Sequence, residues 1–496
     1  MQLVATIVLA RLLTPGDFGL VAMVTTFSLL PASFGLSGFT EAVLQRKQID
    51  RALASNLFWI SLGAGFILTI GFCAAASLLA RFYRDPQVAQ VAVAVSPTIF
   101  ITSTSVLPLT LLSRAMRFTS VSANSVISRG LSVVVSVVLA WSGWGYWALV
   151  AGLITEPLVA SIGAWSLCRW IPSLPRRARG TASVLRFAMH VYGRTSFNYF
   201  GRNIDNLLVG WRFGSGPLGF YKKAYDLFVL PVSQLGAPMT PVAVSALSRL
   251  IGNPVRFRRC FLGALGIMAF VGMGLSGDLT LVGRDLIRLV LGTQWSEAGR
   301  IFMFFGPGIG FMFIIGTNAW IHLSIGRPDR WFRSTLAIFV VTSLLFFLGL
   351  RWGAKGVASA WTMSLCLVTL PTLWYAGRPI QLGLRPMFGA IWRYVLASVL
   401  AGCVSFAIVL LLRPLVAVPG VVGAATRIGV NSALFGILYL GIVILLHRGC
   451  EPLYRITRLL REMISVTNSR GRTVEALIPE TAAHEAFAAT GSVTTP

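Results

Sequence analysis

Acidic side chains are scarce. Sixteen Asp and Glu stand against 42 Lys and Arg, and charge of either sign makes up only 12% of the 496 residues. Soluble domains carry about 25%, so the chain reads as an integral membrane protein, as its mean hydropathy of +0.76 also indicates. Hydrophilic blocks long enough for a soluble catalytic domain are missing as well. That argues against an enzyme and leaves one polytopic membrane unit. The six cysteines (Cys73, Cys168, Cys260, Cys366, Cys403, Cys450) are isolated, without a C-x-x-C pair, and read as inert packing residues. The four histidines (His190, His322, His447, His484) have no metal-ligand spacing. No metal and no cofactor are expected. Met1–Leu13 has no basic flank and is a poor signal peptide. It is also too short to span a bilayer, so the chain is expected to begin inside its first helix.

What is present is basic and apolar. The net charge is +26, but the basic residues are scattered at the ends of apolar runs rather than gathered on one soluble face. Nucleic acid is therefore not the expected partner; membrane lipids are. Apolar segments fall at 2–13, 18–39, 55–80, 88–112, 119–141, 144–168, 183–211, 217–245, 258–282, 298–323, 332–350, 355–377, 391–412 and 426–446. An all-α protein of about fourteen membrane helices, the first one truncated, is the expectation. Alternate connections differ in charge. One set holds Arg46, Lys47 and Arg51, then Arg114 and Arg117, then Arg169, Arg176, Arg177 and Arg179, then Arg256, Arg258 and Arg259. The other, poorer set holds Arg11, then Arg81 and Arg84, then Arg212, then Arg284, Arg288 and Arg300, then Arg351 and Lys355, then Arg413 and Arg427. The richer set is assigned to the cytoplasm, with both termini there, in a bacterial plasma membrane. An amphipathic interfacial helix is expected at 449–465 and a disordered cytoplasmic tail at 466–496.

An internal repeat organises the chain. Leu9-Ala-Arg-Leu-Leu-Thr-Pro-Gly-Asp-Phe-Gly-Leu20 shares its pattern with Val209-Gly-Trp-Arg-Phe-Gly-Ser-Gly-Pro-Leu-Gly-Phe220, at an offset of 200 residues. Trp144-Gly145 and Trp352-Gly353 repeat the relation at 208. The unit is six helices, an even number, so the two copies share one orientation about an axis along the membrane normal. The expected divisions are an N-terminal lobe at 1–182, a C-terminal lobe at 183–380, and extra helices at 381–448.

The second copy opens on a costly segment. His190, Arg194, Asn198, Arg202 and Asn206 recur every fourth residue on one face of the seventh helix, with Asp205 beside them. Ionisable groups at membrane depth mark functional sites by default. Asp205 stands three residues from Arg202 and is expected to pair with it, leaving Arg194 as surplus positive charge.

Three stretches carry a family resemblance: Leu12-Leu-Thr-Pro-Gly-Asp-Phe-Gly-Leu-Val-Ala-Met23, Asn198-Tyr-Phe-Gly-Arg-Asn-Ile-Asp-Asn-Leu-Leu-Val-Gly210 and Leu218-Gly-Phe-Tyr-Lys-Lys-Ala-Tyr-Asp-Leu227. They resemble the oligosaccharide flippases of the multidrug/oligosaccharidyl-lipid/polysaccharide exporter superfamily, in the branch serving exopolysaccharide and O-antigen export. The resemblance implies two lobes in a V that open alternately to each side. It also implies a cargo of undecaprenyl-diphosphate-linked sugar units, with a polysaccharide polymerase and chain-length machinery as partners.

A diphosphate needs a cationic groove to cross hydrocarbon, and arginine donates to phosphate bidentately. On that reading Arg194, Asn198, Arg202 and Asn206 line the groove, joined by Arg129 on the fifth helix and by Asn318 and His322 on the tenth. The bland alternative is that these groups pair internally and fix helix packing. Glu156, Asp205 and Asp226 are the candidates for ion coupling, although Arg129 and Glu156 are equally suited to a plain interhelical salt bridge. Lys222 and Lys223 are candidate gate residues, with a Lys222–Asp226 pair at i,i+4 as the alternative. Pro231, Pro238 and Pro241 are expected to kink the eighth helix. Rival functions are an ion-coupled drug exporter of the same superfamily, a membrane polysaccharide polymerase or ligase, and a structural scaffold. An arginine-rich wall opposes the first, and the missing external loop opposes the second.

Overall fold

The structure, a computed structural model, describes residues 2–32, 40, 43–44, 50–175, 181–412, 420–449 and 454. Among the described residues there are eighteen α-helices and no strand. They are α1 (Gln2–Leu12), α2 (Pro15–Ala32), α3 (Arg51–Ala74), α4 (Ala76–Tyr83), α5 (Pro86–Val95), α6 (Pro97–Arg114), α7 (Phe118–Trp141) and α8 (Tyr146–Cys168). There follow α9 (Thr181–Phe213), α10 (Ser215–Pro231), α11 (Met239–Ser248), α12 (Pro254–Leu291), α13 (Ser296–Gly316) and α14 (Asn318–Ser324). The last four are α15 (Pro328–Gly349), α16 (Gly353–Gly377), α17 (Leu384–Leu412) and α18 (Gly420–His447). The expected interfacial helix and tail lie outside the described residues but for Gly449 and Tyr454.

Among the described residues every apolar segment of the sequence falls on a helix or on a helix pair; positions 33–39 of the second segment lie outside them. Among the described residues, nine helical stretches are long and apolar enough to cross a membrane by length and composition, or eleven if each of two bent pairs counts as a span. That supports a polytopic all-helical fold without fixing the count at fourteen. Three expected segments are not counted separately: α9 carries Arg186, Arg194, Arg202, Asp205 and Arg212, too much charge to pass on apolarity alone, while α15 and α16 fall in one continuous stretch, Pro328–Ile380, and α1 and α2 form one bent pair.

Punctuation between helices is local chemistry. Thr14 and Asp17 form a capping box at the start of α2: the Thr14 amide and hydroxyl donate to Asp17 Oδ2 at 2.8 and 2.7 Å. Asp85 accepts from the Gln87 amide ahead of α5, and Asn253 from the Arg256 amide ahead of α12, each followed by proline at the first helical position. The chain bends by 120° between α1 and α2, and by 42° between the stretch Ser215–Gly236 and α11. A π-helical turn at Val232–Gly236 follows Pro231 directly and leads into the second bend, close to where a kink was expected.

Helix pairs α3–α6, α6–α8 and α7–α8 pack together, as do α12–α13, α13–α16, α15–α16, α12–α17 and α17–α18. The two groups meet along α2, α9 and α10. The contact between α2 and α10 is backbone on backbone. A Cβ built on Gly19 would lie 1.7 Å from the Ser215 carbonyl oxygen, and one built on Gly219 would lie 1.8 Å from that of Pro15. Both pairs of positions differ by 200, the offset of the sequence repeat, so equivalent residues of the two copies contact one another reciprocally.

Candidate functional site

The site is built on α9, which lies between the two packed groups. Tyrosines on α9 hold it against α2: Tyr192 donates to the Leu30 carbonyl at 3.2 Å and Tyr199 to that of Thr25 at 3.1 Å. Each such bond contributes about 1 kcal/mol net. The backbone is helical at His190, Arg194 and Asn198, but the side chains of these three lie outside what is described.

Further along the same helix the polar row divides. Arg202 is exposed, whereas Asn206 is buried and its amide nitrogen donates to Asn203 Oδ1 at 3.3 Å. Asp205 is 0% exposed. Its carboxylate does not pair with Arg202, which corrects the expectation from their spacing. The Tyr221 hydroxyl and the Trp361 indole N–H both donate to Oδ2 at 2.8 Å, and the Asn206 amide donates to Oδ1 at 2.8 Å. The reason is rotational: residue 205 points from α9 into the packing of α10 and α16, while residue 202 points out of it. Three donors replace the solvation that the carboxylate loses, and one side chain thereby ties three helices together.

Arg129 and Glu156 do meet, across α7 and α8, at 3.4 Å with both side chains about half exposed. An exposed pair of this kind contributes little to stability, and its partners are accessible at the protein surface. Lys222 and Asp226 form the i,i+4 ion pair on α10. Lys223, one residue on, is buried, with its Nζ 3.9 Å from the centroid of the Phe18 ring on α2. The two candidate gate lysines therefore have opposite surroundings, Lys222 at the surface and Lys223 in the α2–α10 seam.

The pair on α14 is placed inside the helix packing. Asn318 donates to the Ser334 hydroxyl at 3.0 Å, and His322 is 0% exposed, with its ring 6.1 Å from that of Tyr375. In this conformation neither residue lines an open wall. Among the described residues no group of three His, Cys, Asp or Glu could hold a metal ion.

Tyr221 and Trp361, the side-chain donors to Asp205, are candidate-site residues that the sequence did not single out. Tyr221 stands within one of the three resemblance stretches, and a buried carboxylate sixteen residues earlier demands a donor. No local signal distinguishes Trp361 from the other tryptophans.

Comparison with known proteins agrees with this architecture. Residues 8–300 match a family described as polysaccharide biosynthesis protein. Among curated relatives, the succinoglycan biosynthesis transport protein ExoT of Rhizobium meliloti (strain 1021) is 23% identical over 79% of this chain and 81% of its own length. The teichuronic acid biosynthesis protein TuaB of Bacillus subtilis (strain 168) is 24% identical over 75% of this chain and 77% of its own. Among solved structures, the lipid II flippase MurJ in an inward closed conformation superposes with a TM-score of 0.70 at 13% identity, over 90% of this chain and 96% of that one. An inward-facing multidrug transporter of the MATE family and MOP superfamily gives 0.63 at 14%, over 77% and 94%. At those identities the likeness is one of fold.

Proposed function

Since the chain belongs to the polysaccharide biosynthesis protein family, we propose that it is a transporter that flips undecaprenyl-diphosphate-linked oligosaccharide repeat units across the bacterial plasma membrane. It does so by alternating access of two six-helix lobes, residues 1–182 and 183–380, for exopolysaccharide, O-antigen or capsule synthesis, with both termini in the cytoplasm. The observation that carries the reading is α9. It is a helix of membrane length whose exposed face keeps Arg202 while its other face buries Asp205 with three donors.

The division of labour follows from that geometry. Prenyl chains need no protein to stay in lipid; the diphosphate and sugars do. Arginines on α9, with Arg129 at the opposite group of helices, offer forked donors to the phosphates. Asp205 is out of the cargo's reach and is suited to sense an ion through its ties to α10 and α16. Glu156 and Asp226, both already paired with cations, are the secondary coupling candidates. A drug exporter of the same fold would select organic cations, which a row of arginines repels.

The test is reconstitution in vesicles loaded with diphosphate-linked oligosaccharide. Arg194→Ala and Arg202→Ala are each expected to slow translocation about tenfold to a hundredfold, the loss of roughly 1.5–3 kcal/mol for a hydrogen bond to a charged group. Undiminished flipping in both variants would remove the site.

A further inference from the structure

The end of α1 and the start of α2 meet the end of α12 and the turn before α13 through an unusual exchange. A helix leaves its last carbonyls without partners and ordinarily satisfies them nearby or with water. Here the caps come from the far part of the chain. Gln294 Nε2 donates to the Ala10 carbonyl at 2.6 Å and to that of Leu13 at 3.3 Å, and the Trp295 indole N–H donates to Ala10 at 2.7 Å. In the other direction, Arg11 Nη2 donates to the Leu289 carbonyl at 2.9 Å, and its Nε to Val290 at 3.4 Å. The last turn of α1 is thus capped from beyond α12, and the last turn of α12 is capped from α1.

Two further contacts sit under this exchange. The fully buried Trp295 ring meets Phe18 on α2 and Phe220 on α10 edge-on, at centroid distances of 5.5 and 6.0 Å. Immediately below is the Gly19–Gly219 crossing, which brings backbones together with no side chain interlocked between them. Both connections belong to the arginine-poor, non-cytoplasmic side of the charge pattern.

We propose that this junction is a latch closing the outer face, and that its reciprocal caps exchange for water when the face opens. The inference rests on the alternating-access reading. Arg11 and Gln294 are exposed, so the carbonyls and donors they release can be hydrated as soon as the helix ends part. The glycine crossing separates without any side chain having to be withdrawn. Because α1 turns sharply into α2 at Thr14, one residue past the capped carbonyls, movement of α1 carries the start of α2 with it.

The experiment uses the full chain with its six cysteines replaced and a single reporter, Leu218→Cys, which is buried beside the crossing. A membrane-impermeant maleimide is added from outside. Reporter labelling in the parent is expected to be slow. Trp295→Phe, which removes the indole N–H and leaves a smaller ring in its place, and Arg11→Ala, which removes two donors, should each raise the rate at least about threefold to tenfold, the equilibrium shift from one lost hydrogen bond. Gly219→Ala, whose methyl has no room in the closed crossing, should raise it further. Fast labelling of the parent, or rates unchanged in both Trp295→Phe and Arg11→Ala, would overturn the latch. Flipping measured on the same variants separates the two readings. Raised labelling with no flipping in the parent rejects the cargo and keeps the latch; normal flipping with unchanged labelling does the reverse.

Discussion

Asp205→Ala is expected to abolish flipping and to lower the melting temperature in detergent by several degrees. The substitution leaves the Tyr221 hydroxyl and the Trp361 indole N–H buried without an acceptor, at about 1–3 kcal/mol each. It also unties α9 from α10 and α16, which is why transport should fail along with stability. Asp205→Asn divides the two effects. It keeps one acceptor oxygen and removes the charge, while its amide must face the Asn206 N–H, donor to donor. A melting point near that of the parent with flipping lost would assign Asp205 to ion coupling. Parent-like flipping under an imposed proton or sodium gradient would leave it a strut between helices.

Phe305→Ala should cost about 3–5 kcal/mol, read as a loss of thermal stability much larger than that of Phe305→Leu. The ring is 0% exposed on α13 and stacks on Phe228 at 4.9 Å, with Tyr221 at 5.4 Å and Tyr225 at 5.9 Å. Inside a membrane bundle the contacts themselves, rather than exclusion of water, hold helices together, so the unfilled space dominates the loss. Because Tyr221 leans on this ring and donates to Asp205, the variant should also disturb the carboxylate. Melting within a degree of the parent would show that neighbouring side chains collapse into the gap.

Much of this was legible in one dimension, for reasons that differ by element. Apolar runs must become helices in a bilayer, since their backbone groups have no other partner there, and so each run is helical where its residues are described. The repeat was legible because Pro15 and Ser215 begin helices at the same offset that separates Gly19 from Gly219. The Arg129–Glu156 and Lys222–Asp226 pairs were legible because they join consecutive helices or one turn of the same helix. Long-range pairing was not. The donor to Asp205 on α16 is 156 residues away, and no spacing rule outranks the nearer Arg202. The exchange of caps between Arg11 and Leu289, 278 residues apart, was likewise beyond reach. Nor does apolarity separate a buried Asn318 and His322 from a pair lining a groove.

The glycine crossing has a consequence for how the chain can vary. Where two copies of a motif touch at corresponding positions, each residue meets its own counterpart, as residues do on the two-fold axis of a homodimer. Gly19 and Gly219 form such a self-contact inside one polypeptide. In a true dimer a mutation there would appear twice at once and double the clash. Joined in a single chain, the two positions can mutate separately, yet they still share one volume. A methyl gained by Gly19 meets the Ser215 carbonyl and one gained by Gly219 meets that of Pro15, so either pushes the same two backbones apart. The interface therefore behaves as one site with two addresses, and its tolerance for change is set by the pair.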